Sequence, residues 1–556
     1  MSQSTNSRAT ENHDRLIKPL IALMAASHLA FVVAGMFFRF IDGDEGGMLT
    51  LSKEVINGRV PILDINAHNQ PVFYYLYGGW MKLFGFSIVS ARSLSAIAVF
   101  GVGLILIWWT RRFTKNWLVT AVVYLLYITS LTYFKTNIPV KPFALSNLFT
   151  FASFALLSGI YVKRGSFTLP VLFIAGLFLG LSMGVRLIFI LPFTFALWIF
   201  IAMLRQRPRT KAKGIVKHIA TFTAGTTIPI VPAIIIFIKE PVRAYMIWAG
   251  AYAQIYLGKG NNPDFVVDVH GTDKTGMILN GLREIITVPD MALLLLLFLA
   301  STVVFLVHTR RRIDSNHATV YLFAWLLLAS IIYVYSNLYG GYLGYVNQVV
   351  LFICILLVPL IELIANRVSF KKIVFSSFVI SCAVVAVFYV YYQRRLKTSI
   401  FYMLRSEDLI VTPAFVEKVS DEVIKKLTKP EDVVLDTWGA FVFASGRRPV
   451  KGFEYPTDNA FFWKLMPDRE KARDYLYIPE PELFKMIENH EIPLLVLGDP
   501  SELGFLLTGK YSSDDQDSLN AHAAKHYRLY KKYFVKPTNA WLMFYVPKTG
   551  VTTDAG

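Results

Sequence analysis

Chemistry is concentrated at residues 41–47, Ile-Asp42-Gly-Asp44-Glu45-Gly-Gly, where three carboxylates fall within four positions directly after an apolar block. Carboxylates so placed can take a proton from a reacting group. They can equally serve a helix start, with Asp44 as the cap and acid in the first turn favoured by the macrodipole. These residues alone leave both readings open. Three cations sit at comparable span ends. Lys135 and Lys141 flank Lys135-Thr-Asn137-Ile-Pro139-Val-Lys141-Pro142, and Arg186 interrupts an apolar run. A charge inside such a run is costly enough to point to a role, whereas snorkelling to lipid phosphate is the plainer account of each cation. Arg92 reads as an interfacial anchor.

Membrane spans must position these groups. Of 556 residues 54% are hydrophobic, 15% aromatic and 17% charged, against about 25% charged in a soluble domain. The apolar residues fall in blocks roughly 20 long, the length that crosses a ~30 Å hydrocarbon layer. The candidate spans are 19–40, 94–109, 117–134, 143–162, 169–185, 188–204, 219–238, 291–307, 321–335, 346–365 and 373–392. Basic runs, among them Arg111-Arg112, Lys163-Arg164, Arg205 to Lys217, Arg310-Arg311-Arg312 and Lys371-Lys372, all lie in short loops of one parity. The positive-inside rule therefore puts the N-terminal tail (1–18) in the cytoplasm and residues 393–556 outside. The basic cluster Arg394, Arg395 and Lys397 mildly opposes that orientation. The net charge of +18 is then a topology signal and an attraction to anionic head groups rather than a sign of nucleic acid. No cleavable signal peptide is evident, so the first span is retained. Cys354 and Cys382 lie in apolar blocks, and no metal-binding Cys/His spacing is found.

The loops of the other parity are long. Residues 41–93 and 239–290 far exceed ordinary connections, and loops of that size are usually functional. Within the first, Met48, Leu51 and Val55, then Phe73, Leu76, Trp80 and Leu83, repeat at helical spacing. That pattern predicts two amphipathic helices in the outer interface. The tail carries short strand-like runs, Val433–Leu435, Pro493–Leu497 and Trp541–Val546, with helical stretches at Glu417–Leu427 and Pro481–Asn489. This is a small α/β domain. Asp436 reads as a strand-end cap, and Gly446-Arg447-Arg448-Pro449 as a solvated basic turn.

The first long loop continues Asn57-Gly58-Arg59-Val60-Pro61-Ile62-Leu63-Asp64, then Ala67-His68-Asn69-Gln70-Pro71 with an aromatic helix, and closes on Leu83-Phe84-Gly85 and Arg92. This ordered set resembles the C-type (GT-C) glycosyltransferases that use polyprenyl-phosphate sugars, especially bacterial relatives of the protein O-mannosyltransferases and of the lipid A aminoarabinose transferase. The match is close over residues 20–95 and general beyond. It implies an all-α polytopic membrane domain of about eleven spans (19–392), interfacial helices in the first outer loop, and a C-terminal α/β domain (393–556). It also implies residence in a bacterial cytoplasmic membrane, with that last domain periplasmic. The implied activity is transfer of a sugar from an undecaprenyl-type phosphate to a glycan, lipid or protein on the outer face, with Asp44 as general base and Glu45 beside it. Asp42 and Glu45 are the other candidates for the base. The departing phosphate calls for cations in a water-poor cleft, so Lys141, Arg186 and Lys135 are candidate donor-phosphate contacts. His68, Gln70, Asp64 and Tyr345 are candidate substrate contacts.

Two departures bear on the substrate. Asn69-Gln70-Pro71 stands where many relatives have Lys-Pro-Pro, and Asn137 with Lys141 stands where relatives often place a second acid. The second departure weakens a metal proposal. No cofactor or resident metal is assigned, and a divalent cation beside the phosphate stays open. The alternatives are a transporter or flippase, in which internal repeats and matched broken helices are typical and none is seen here, and a noncatalytic envelope assembly protein whose outer domain does the binding.

Overall fold

The computed structural model describes residues 2–41, 43–164, 167–188, 190–206, 212–250, 289–309, 315–338, 347–367, 411–456, 469–498, 513–535 and 540–548. Ten of the eleven expected spans coincide with described helices. These are α1 (Ser2–Phe38), α4 (Ile88–Thr114), α5 (Trp117–Ile128), α7 (Pro142–Arg164), α8 (Leu169–Val185), α9 (Leu191–Gln206), α10 (Ala212–Lys239), Pro289–Thr309, Ser315–Leu338 and the pair Asn347–Leu356 and Val358–Arg367. Six carry segments long and apolar enough to cross a membrane, and four are shorter apolar helices. The eleventh expected span, 373–392, and most of the second long loop lie outside the described residues.

The apolar sequence has two destinations. Leu23, Val33 and Phe37 on α1, and Ile228, Ile235 and Ile238 on α10, are exposed on the outside of the helices, as lipid-facing side chains must be. The inner faces pack tightly through small residues. On α8 a Cβ at Gly180 would collide with the Thr226 carbonyl of α10. The third expected span, 117–134, is not one helix. It ends at Ile128, and a short helix α6 (Leu131–Asn137) follows a break at Thr129-Ser130, where Thr129 returns its hydroxyl to the Leu125 carbonyl, 2.9 Å away.

The first long loop holds α2 (Gly43–Ile56) and α3 (Pro71–Phe84), as its periodicity predicts. Their setting differs from the expected pair of interfacial helices. α3 leaves the interior at its end, with Leu83 and Phe84 exposed. α2 is enclosed, with Met48, Leu49, Leu51 and Val55 all buried, because the C-terminal domain covers the face that α3 does not. The hydrophobic spacing of α2 records burial between two protein layers rather than contact with lipid.

That domain is built on a five-stranded sheet of order β2-β1-β3-β5-β4, with β1 (Val433–Asp436), β2 (Arg448–Pro449), β3 (Leu494–Gly498), β4 (Tyr527–Val535) and β5 (Ala540–Pro547). β1 pairs in parallel with β2 and β3, and β5 runs antiparallel to β3 and β4. The expected strands and both expected helices are present, the latter as Pro413–Leu427 with a π-helical middle and Glu480–Glu488. β2, β4 and the helix Ser513–His526 are additional. Asp436 is the expected cap: its carboxylate accepts from the N–H groups of Trp438, Phe441 and Val442 at 2.8–2.9 Å. Gly446 and Arg448 of the basic turn are exposed, as expected, while Arg447 is half-buried and bonds to the Thr428 hydroxyl and carbonyl at 2.8 and 2.7 Å.

Candidate active site

α2 starts in the space between the spans and the C-terminal sheet, and its first turn presents two adjacent acids. Glu45 points inward and is fully buried. Arg92, at the start of α4, grips it with two donors, Nε to Oε1 at 2.7 Å and Nη2 to Oε2 at 2.6 Å, and the Val140 N–H adds a third at 2.9 Å. The same guanidinium donates to the carbonyls of Met36, Arg39 and Phe40 at 3.2, 2.7 and 3.1 Å, which satisfies the open end of α1. Arg92 is thus no interfacial anchor. It has zero exposure, and its planar fork joins three elements in a way a lysine could not.

Asp44 points the other way and keeps 37% of its surface open. Lys141 Nζ lies 3.0 Å from Oδ2, and the Tyr455 hydroxyl donates to Oδ1 at 3.0 Å. Each oxygen accepts one donor and so retains lone-pair capacity for another. The two acids are therefore read by two consecutive residues of the segment before α7: Val140 holds Glu45 and Lys141 holds Asp44. That segment is pinned in turn, because the Ser95 hydroxyl donates to the Pro139 carbonyl at 3.2 Å and bonds to the Tyr77 hydroxyl at 2.7 Å.

The C-terminal domain completes the site with the loops after β1 and β2. The Trp438 indole donates to the Ile41 carbonyl at 2.9 Å, and Thr50 donates to the Gly439 carbonyl at 3.0 Å. Contact is so close that a Cβ on Gly46 would collide with the Trp438 carbonyl and one on Gly47 with the Tyr455 ring. Glu454, next to Tyr455, is buried and accepts from Arg59 at 2.6 Å. Burial pushes its carboxyl up and Arg59 opposes the shift. α/β domains use the crevice at the carboxyl ends of their parallel strands for ligands; here that crevice holds α2.

The remaining expected residues divide clearly. His68 belongs to the cluster, with its ring stacked on Tyr455 at 4.7 Å and its Nε2 3.1 Å from the Asn69 amide. Arg186 caps α8 and lies over the Phe143 ring at 4.7 Å, so it reaches the first turn of α7 just beyond Lys141. Gln70 is buried as the N-terminal neighbour of α3. Asp64 is not brought to the acids. Its carboxylate accepts from the Val60 N–H at 2.7 Å and closes a local turn. Asn137, in the place of an expected second acid, is buried and accepts from Asn147 at 2.9 Å. Asp42, Tyr345 and the side chain of Lys135 lie outside the described residues. Tyr455, Trp438 and the bracing role of Arg92 were not legible beforehand: Tyr455 is 411 positions from Asp44, and nothing local marks it.

No protein-family model matches the sequence, and no curated protein does. Solved structures do match. The crystal structure of ArnT from Cupriavidus metallidurans in the apo state has TM-score 0.59 at 12% identity, covering 95% of this chain and 98% of that one. The same protein bound to undecaprenyl phosphate has TM-score 0.54 at 12% identity, covering 97% and 99%. Over nearly its whole length the chain therefore shares the GT-C fold of ArnT: a polytopic membrane domain carrying a C-terminal α/β domain.

Proposed function

We propose that the protein transfers a sugar from a polyprenyl-phosphate donor to a hydroxyl acceptor on the outer face of the cytoplasmic membrane, with inversion at the sugar carbon. The observation that carries this reading is the carboxylate of Asp44, over a third open at the seam between the spans and the C-terminal domain and oriented by Lys141 and Tyr455. A lipid-borne sugar phosphate has its reacting carbon at head-group depth, and α2 starts directly after the first span. The shared fold includes a structure bound to undecaprenyl phosphate, which supports a donor of that chemical class.

In this mechanism Asp44 takes the proton of the attacking hydroxyl. The acceptor oxygen bonds to the sugar carbon as the bond from that carbon to the phosphate oxygen breaks, and the electron pair leaves with the polyprenyl phosphate. Lys141 turns from Asp44 toward the departing phosphate, and Arg186 and the N-terminus of α7 add positive potential on the same side. Glu45 takes no proton; bound by Arg92 and Val140, it fixes the turn that aims Asp44. The N-terminus is cytoplasmic and the C-terminal domain periplasmic. Gene deletion followed by mass spectrometry of envelope glycans and lipids tests this. One defined sugar should vanish, to be restored by the wild-type chain and not by Asp44→Asn. Restoration by that variant would remove Asp44 from the reaction.

A further inference from the structure

The C-terminal domain carries a second cluster on its far flank, away from α2. The helix Ser513–His526 packs on Glu480–Glu488, and its spacing sets His522 and His526 one turn apart on one face. No metal-binding Cys/His spacing stands out in the sequence, and it is the helix at 513–526 that brings this pair to one face. Glu488 ends the neighbouring helix opposite them. One ligand atom from each of Glu488, His522 and His526 lies within 4.8 Å of the others.

Hydrogen bonding within the protein does not account for this convergence. His522 Nε2 faces Glu488 Oε1 at 3.2 Å, yet it lacks hydrogen-bond geometry and is shut off from solvent. His526 Nε2 is equally shut off and has no hydrogen-bond partner among the described residues. His522 Nε2 has the Glu488 carboxylate beside it, but the sheltered His526 Nε2, with no hydrogen-bond partner among the described residues, is costly unless it binds something else. The rings are also held in place. His522 stacks on Phe484 at 4.6 Å, and His490 Nε2 donates to the His526 carbonyl at 3.0 Å, which anchors the helix end.

We infer that Glu488, His522 and His526 form a divalent-cation site selective for Zn²⁺. Two neutral imidazoles and one carboxylate match the donor preference of zinc, whereas magnesium and calcium favour oxygen-only sets. The three protein ligands leave one position for water, and the ion ties the helix 480–488 to the helix 513–526. The site is distinct from Asp44 and its partners, which contribute no residue to it.

The test uses the full-length protein in detergent, freed of metal with a chelator and titrated with Zn²⁺ by calorimetry, then with Co²⁺ as a visible-absorption probe. The wild type should bind one equivalent, show tetrahedral Co²⁺ bands and melt at a higher temperature with Zn²⁺. His522→Ala and His526→Ala should each weaken Zn²⁺ binding beyond the roughly 10–100-fold that losing an outer hydrogen-bond partner costs, with the metal-free melting temperature unchanged. Lys525→Ala, exposed on the same helix, should bind as the wild type does. Absence of stoichiometric binding by the wild type, or its persistence in the doubly substituted His522→Ala/His526→Ala protein, would overturn the assignment.

Discussion

Asp44 and Glu45 are adjacent carboxylates in one helical turn, and their surroundings could hardly differ more. Glu45 has no exposure and three donors, each from an element of the membrane half. Asp44 is over a third open and has one donor from each half of the molecule. Successive helix positions point about 100° apart, so one turn can send one acid into the core and the next into a cleft. Residue type alone decides neither role; direction does.

The contrast makes graded predictions. The largest effect belongs to Asp44→Asn, which should lower transfer by about 10²–10⁴-fold, the range for loss of a general base, with little change in melting temperature. An unfolded Asp44→Asn protein, or an active one, would erase the distinction between the two acids. Glu45→Ala should do the reverse, costing about 3–5 kcal/mol because it strands a buried guanidinium, as measured by thermal unfolding in detergent. A stable Glu45→Ala protein lacking only activity would move the chemistry to Glu45. Tyr455→Phe removes one neutral donor to Asp44, and a loss of about 1 kcal/mol, roughly fivefold in rate, is expected; an unchanged rate would show that the C-terminal domain does not aim the base.

A separate effect concerns pH. Burial pushes the Asp436 carboxyl up to about 6, against the backbone N–H groups it accepts from. The folded state therefore holds this proton more tightly than the unfolded chain does. Its stabilising contribution is complete below the ordinary value of 3.8, lost as pH rises through about 6, and should flatten in Asp436→Asn. Melting temperatures across that window, compared between the two proteins, check the sign.

The fold was largely legible because its determinants are local. Spans declare themselves by length and apolarity, and the strands of the C-terminal domain by short apolar runs. The site was half legible. Asp44 and Lys141 stand out as charges where charges are costly, and His68 lay in a motif. Tyr455 and Trp438 do not stand out, since an aromatic in a domain full of aromatics carries no mark of its partner. Arg92 was misjudged for a related reason: an arginine opening a span looks the same whether it faces head groups or a carboxylate that folding brings beneath it. Two enclosing layers made α2 look interfacial, because hydrophobic period reports burial and not the medium that supplies it.

The close seat of Gly46 and Gly47 under Trp438 and Tyr455 also bears on the order of assembly. A chain made from its N-terminus produces Asp44 early and its phenolic partner 411 residues later. Until the C-terminal domain has been synthesised and docked, the acidic turn lacks its cover and one of the two donors that orient Asp44. A truncated or half-inserted chain could hold the lipid helices in place and still present an unfinished centre. Docking of the domain that carries Trp438 and Tyr455 is in this way what completes the surroundings of Asp44.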